Sequence, residues 1–224
     1  MRREIERVLG ASERARDVAL ALSVGSDAID LGRVDVALEA LEWAKHVAPR
    51  VPAVREAYGV VRYLDEDYSG ALTELQAYRR MTGRVDQNHL IADCLRGLGR
   101  DRERVVALVE ELLEDEGAPS DRRAEAVIVW AGALVDEGHL DAARSLLRRH
   151  LSPAGGRDGA IGEPHQLRVL VMAAELAEQA GDAGEARTYR ALIARSAPEL
   201  LEDVAPADDE RPDAGPGEEP DGRS

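Results

Sequence analysis

The sequence predicts an all-α fold: a solenoid of about five stacked helical hairpins, followed by an acidic tail that does not fold. Three observations predict it. First, Gly25, Gly32, Ala37 and Pro49 are echoed 34 positions later by Gly59, Glu66, Ala71 and Gly83. A period of that size, with a small residue in each of two successive helical patterns, marks a stack of two-helix units. Second, apolar residues recur at helical spacing, as in Leu38, Leu41 and Ala44, in Leu108 and Leu112, and in Leu146, Leu147 and Leu151. Third, aromatic residues are only 3% of the chain and phenylalanine is absent. Packing therefore rests on alanine, leucine and valine, which suit closely spaced helices.

Taken in order, residues 1–17 predict a short capping helix, with Ile5, Val8 and Leu9 on the side that would cover the first hairpin. Residues 18–201 hold the repeats. The first, Val18 to Val51, has Gly25 and Ala37 at its helix crossing, Gly32 in its turn and Pro49 at its close, where a helix cannot continue. The second, from Pro52, has Gly59 and Ala71 at the crossing, with Glu66 in place of the turn glycine. The third has Ala92 and the turn glycine Gly99, but Arg104 stands where an alanine is expected, which predicts a looser crossing or a local shift of frame. The fourth restores the pattern with Ala131, Gly138 and Ala143, and the fifth has Ala174, Gly181, Ala186 and Pro198. Successive second-helix positions, 37, 71, 104, 143 and 186, lie 34, 33, 39 and 43 apart, so the later units carry loop insertions, one of them the glycine-rich "SPAGGRDGAIGEP". Asp67, Asp101, "APSD" before Arg122 and Asp182 are short polar residues placed to accept backbone donors at helix starts. At the far end Leu200, Leu201 and Val204 could cover the last hairpin. Residues 202–224 carry nine acids against two arginines in a Pro-, Gly- and Asp-rich stretch, too polar to offset the entropy of ordering.

These residues resemble the tetratricopeptide repeat, in which small residues fall at the eighth and twentieth positions of a 34-residue unit. The resemblance runs from about Val18 to Pro198 and is carried by the first, second, fourth and fifth units; no unit has the tryptophan and tyrosine of the consensus in place. The stretches "EALEWAKHVAPRVPAVREAYG", "LQAYRRMTG" and "ADCLRGLGR" are also similar to repeat proteins of high-GC bacteria. The resemblance implies a right-handed superhelix whose first helices line a concave groove. On it, Glu56, Tyr63, His89, Asp93, Arg96, Glu175 and Glu178 are the candidate groove residues; spacings of four and three put His89, Asp93 and Arg96 on one helix face. The family's clamp for a chaperone's C-terminal carboxylate needs lysines, arginine and asparagines, and this chain has Leu22, Ser26, Glu56, Asp86 and His89 at those places. Chaperone-tail binding is disfavoured.

Charge and composition bound the function. A formal net charge of −15 opposes binding to nucleic acid. Only Lys45 among 29 basic residues is a lysine, which reads as the codon bias of a GC-rich genome. The charged start "MRREIERVLG" lacks a signal-peptide core, the longest apolar run, "AVIVWAGALV", is too short to cross a bilayer, and the single cysteine, Cys94, fits a reducing compartment, so a cytoplasmic location is expected. No catalytic, cofactor-binding or metal site is expected. His46, His89, His139, His150 and His165 lack ligand spacing, the glycine-rich insertion lacks the lysine and hydroxyl residue of a phosphate loop, and the acid pairs Glu110–Glu111 and Asp208–Asp209 are adjacent rather than facing.

The expected function is a non-enzymatic scaffold or adaptor that holds a peptide or protein segment in the concave groove, as a monomer or weak homodimer without nucleic acid or membrane. The alternative is a regulatory subunit of a separately encoded enzyme, with the acidic tail competing for a basic surface such as that enzyme's own or Arg144, Arg148 and Arg149.

Overall fold

The structure, a computed structural model, describes residues 2–100, 102–151 and 163–197. Regular structure among them is helical throughout: α1 (Arg2–Leu9), α2 (Glu13–Asp30), α3 (Val34–Val47), α4 (Pro52–Leu64), α5 (Tyr68–Thr82), α6 (Asn88–Gly97), α7 (Arg102–Glu114), α8 (Ser120–Asp136), α9 (Leu140–His150), α10 (Pro164–Gln179) and α11 (Ala183–Ser196). From α2 onward they pair into five hairpins. The tail, Leu200, Leu201 and Val204, the closing Pro198, Asp101 and residues 152–162 of the insertion lie outside the described residues.

Each helix packs on the next along the chain. The first helices of the hairpins (α2, α4, α6, α8, α10) also touch one another in succession, whereas the second helices (α3, α5, α7, α9, α11) do not. Two rows with such unequal spacing curve toward the closer one, so the first helices form the inner, concave row. The inner row is itself uneven. α6, α8 and α10 pack extensively on one another, while α4 meets α2 and α6 only sparsely.

All five turns are built alike. Gly32, Glu66, Gly99, Gly138 and Gly181 take φ of 69°, 61°, 62°, 79° and 74°. The next residue's N–H donates back five residues: Arg33 to Ala28 O (2.7 Å), Asp67 to Arg62 O (2.9 Å), Arg100 to Leu95 O (2.9 Å), His139 to Leu134 O (2.8 Å) and Asp182 to Ala177 O (2.9 Å). This left-handed stop ties up carbonyls that the helix end leaves without partners. Asp67 and Asp182 then start the returning helices by accepting from the N–H of Gly70 and Glu185, and Ser12 caps α2 in the same way. Before α8 the expectation is corrected. Ser120 and Asp121 lie inside the first helical turn and Pro119 precedes it, without a side-chain cap.

The crossing residues Gly25, Ala37, Gly59, Ala71, Ala92, Ala131, Ala143, Ala174 and Ala186 are all buried. A Cβ on Gly25 would lie 2.7 Å from Leu41 Cγ, and one on Gly59 would lie 2.8 Å from Leu75 Cδ2 and 3.2 Å from the Leu75 backbone nitrogen. The third hairpin departs from the frame. In the other four, the crossing residue of the second helix lies five residues after the positive-φ residue; here the buried residue, Val105, lies six after Gly99. The extra residue rotates α7 so that Val105 is buried at the crossing and Arg104 is exposed. The crossings therefore fall at 37, 71, 105, 143 and 186, and the third is a shifted frame rather than a loose one.

The core follows the stack. One apolar cluster joins α1 to α4, a second spans α4 to α8, and a third joins α8 to α10, with Leu113 and Trp130 packed against both the second and third. Such a core grows by neighbour contacts and has no single centre. Ile5 of α1 is fully buried and Leu9 packs beside it, while Val8 points outward, 42% exposed. Cys94 is buried in the second cluster, which pushes its thiol up to about 12.

Candidate functional site

Polar side chains of the inner row are joined into two strings that run across units. In the first, Gln87 Nε2 donates to Glu56 Oε1 at 2.6 Å, and Arg122 Nη1 donates to Gln87 Oε1 at 3.4 Å and lies 3.2 Å from His89 Nε2. A guanidinium can only donate, so His89 Nε2 accepts and its proton sits on Nδ1. In the second, the Tyr63 hydroxyl donates to Asp93 Oδ2 at 2.5 Å, Arg96 Nε donates to Asp93 Oδ1 at 2.8 Å, and Arg96 Nη1 reaches Asp136 Oδ2 at 2.9 Å. A further pair, Arg168 Nε to Glu125 Oε1 at 3.0 Å, joins α10 to α8.

Burial sets the charge states in the strings. His89 is 3% exposed, and burial together with the neighbouring Arg122 charge pushes it down to about 4, so it is neutral near pH 7. Burial also raises Glu56 and Glu125 above the usual carboxylate range, and burial followed by the Asp93 carboxylate raises the Tyr63 phenol. Arg96 lies between two carboxylates across the α6–α8 contact, where a Cβ on Gly132 would come within 3.4 Å of its guanidinium carbon.

The structure thus brings Glu56 and His89 into one string and Tyr63, Asp93 and Arg96 into the other. His89 lies beneath the inner surface, not on it. Glu175 is exposed on α10, and Glu178 is paired to Arg190 of α11. The partners Gln87, Arg122 and Asp136 were not read from the sequence. Gln87 had a signal. It occupies the slot filled by Val54, Ala126 and Val169 in other hairpins, and a polar residue in an apolar slot must find a partner.

The same signal marks two more buried polar groups, Glu74 on the outer row and Asn88 at the start of α6. Glu74 of α5, 2% exposed, meets Lys45 Nζ at 3.4 Å and Arg55 Nη1. Asn88 donates to Leu108 O at 3.0 Å and Glu111 Oε2 at 2.9 Å, and Arg79 holds Glu111 at 2.6 Å. The basic surface proposed for the tail is partly taken. Arg144 binds Asp182 at 2.7 Å and Glu185, and Arg148 reaches Glu185 at 3.1 Å, leaving Arg149 exposed.

Among the described residues, no group of His, Cys, Asp and Glu is placed to hold a metal ion, and no helix is long and apolar enough to cross a membrane. What the inner row offers is a curved surface on which Asp93, Arg96, Asp136, Glu125 and Arg168 are joined in ion pairs and Glu175 is exposed.

No known family profile matches the sequence, and no curated protein is significantly similar to it. Solved structures are similar in fold. A thermophilic tetratricopeptide repeat protein of Thermus thermophilus is 21% identical with a TM-score of 0.61, over 83% of this chain and 94% of that one. A single-residue variant of a putative kinesin light chain of Podosopora anserina, with nearly identical repeats of this type, is 18% identical with a TM-score of 0.62, over 82% and 97%. The pilF protein of Pseudomonas aeruginosa is 15% identical with a TM-score of 0.51, over 85% and 96%. The chain has the fold of the tetratricopeptide repeat proteins: five hairpins stacked into a helical solenoid.

Proposed function

We propose that the chain is a non-enzymatic scaffold that holds a protein or peptide segment bearing basic residues along its inner row of helices. The observation that carries this reading is the paired, preformed inner surface. Tyr63, Gln87, Asp93 and Arg96 are tied to partners within the chain, so little ordering of these side chains is left to oppose an incoming segment. Between the pairs the repeat register sets apolar ground. Where one hairpin has Glu56 and the next His89, the following two have Ile128 and Val171; where two have Asp93 and Glu175, others have Val60 and Gly132. The charge is unbalanced as well. Glu56, Asp93, Glu125, Asp136 and Glu175 outnumber Arg96, Arg122 and Arg168 on this row, so a cationic segment is steered to it.

The experiment places a photo-crosslinking residue at Ser26 or Glu175, exposed on the inner row, and at Arg80 or Arg104, exposed on outer helices. A partner crosslinked from the inner positions through a basic segment, and not from the outer ones, supports the proposal. Equal or exclusive crosslinking from the outer helices overturns it.

A further inference from the structure

Charge separates along the C-terminal end of the chain. Residues 186–197 carry three arginines and no acid, whereas residues 198–210 carry six acids and no base. Of the three arginines, Arg190 is held by Glu178 of α10. Arg187 and Arg195 are exposed and have no ion-pair partner among the described residues, and Thr188, Ala191 and Ala194 between them are exposed as well. This strip of α11 is therefore cationic, with small uncharged side chains between its two charges.

The preceding hairpin shows what this register position engages. Arg144 follows the crossing residue Ala143 and reaches beyond its own hairpin to Asp182 and Glu185 of the next. Arg187 follows Ala186 in the same register. No further hairpin succeeds it among the described residues, and the next acids along the chain are Glu199, Glu202, Asp203, Asp208, Asp209 and Glu210. They are within reach. Arg187 lies about 15 Å back along α11 from Ala197, and the chain from Ala197 to Asp203 spans up to about 20 Å. Asp203 and every later acid can therefore return to Arg187, and Glu199 and Glu202 to Arg195. Other surfaces attract this segment less. Arg144 and Arg148 on α9 are already neutralised by Asp182 and Glu185, and the inner row carries an excess of carboxylates.

We propose that the acidic segment 199–210 lies back along α11 of its own chain and pairs with Arg187 and Arg195, supplying at the end of the stack the acids that Asp182 and Glu185 supply to Arg144. The inference is independent of what the inner row binds. Exposed ion pairs are individually weak, and six acids facing two arginines allow many pairings, so the contact is an exchanging set rather than one fixed geometry. Both partners sit on one chain, so the contact does not depend on protein concentration. Salt screens it.

A nitroxide spin label on Thr188→Cys, read through the amide signals of the isotope-labelled full chain, tests it; Cys94 is buried, so the introduced thiol takes the label. At low salt the amide signals of Asp203–Glu210 lose intensity, and high salt restores it. Adding Arg187→Glu and Arg195→Glu, both surface changes that leave the thermal transition in place, restores it as well. Signal loss that neither salt nor the double charge reversal relieves reflects the tether alone and overturns the proposal. So does a tail whose signals the label never weakens. Signal loss that passes from a spin-labelled chain to a separate isotope-labelled one also overturns it, because the contact then lies between copies.

Discussion

The first two hairpins and the third close the same crossing by different means. In the first two, a glycine on the inner helix lets a leucine of the outer helix lie nearly on its backbone, Gly25 under Leu41 and Gly59 under Leu75. In the third, Ala92 and Val105 are buried in one cluster instead, with Val105 six rather than five residues past the turn glycine. The difference continues between units. Where α4 and α6 touch sparsely, Tyr63 and Gln87 span the opening with hydrogen bonds to Asp93 and Glu56. Apolar contact locks a hairpin when backbones can approach; when they cannot, long polar side chains carry the join, and they need partners because the site is partly dry.

The largest effect is expected where the approach is closest. Gly59→Leu forces a side chain into the Leu75 side chain and toward its backbone, which cannot move without shifting α5, and costs about 3 kcal/mol. Arg104→Leu, at the position the third hairpin has turned outward, changes stability by less than about 0.5 kcal/mol. Urea unfolding of both variants decides it. Equal shifts of the midpoint would remove the contrast between the two crossings.

The sequence made the glycine-led hairpins legible because a fixed period and a forced residue coincide: only a small side chain fits under Leu41 or Leu75. The third hairpin was misaligned by one residue, although Val105, Leu108, Val109 and Leu112 form a helical apolar stripe that fixes the true register. The inner row was half legible. Spacings of four and three put His89, Asp93 and Arg96 on one face, and the repeat period added Glu56 and Tyr63. Their partners Arg122 and Asp136 belong to the next unit, and the period says nothing about the distance between units, which depends on how far neighbouring inner helices are splayed.

The polar join of the third unit is also sensitive to pH. His89 accepts from Arg122 while neutral, and the folded chain holds it near 4 against an ordinary value of 6.5. Asp86, Asp93 and Asp121 oppose that shift, but burial and the Arg122 cation outweigh them. The unfolded chain therefore takes up the proton first. The contribution of His89 is whole above about pH 6.5 and is lost as pH falls toward 4, about 3 kcal/mol when complete. Glu56 and Glu125, whose values are raised, act in the opposite direction and are common to wild type and variant. In His89→Gln, whose amide oxygen can also accept from Arg122, the difference in stability from wild type narrows as pH falls through this window. Parallel curves would show that the imidazole does not set the acid sensitivity of this join.

The smallest effect lies in the turn of the second hairpin. Gly32, Gly99, Gly138 and Gly181 take the left-handed conformation without penalty, but Glu66 takes it at φ 61° with a side chain attached, which costs about 1 kcal/mol. Its exposed carboxylate lies at a helix C-terminus, where the macrodipole is unfavourable to a negative charge. Glu66→Gly should therefore raise stability, less the extra freedom that glycine gives the unfolded chain, by roughly 0.5 kcal/mol. Glu66→Ala keeps the strain and removes the charge, so it should recover only the smaller electrostatic part. If alanine stabilises the protein as much as glycine, the backbone of this turn is not strained, and the second hairpin differs from its neighbours in charge alone.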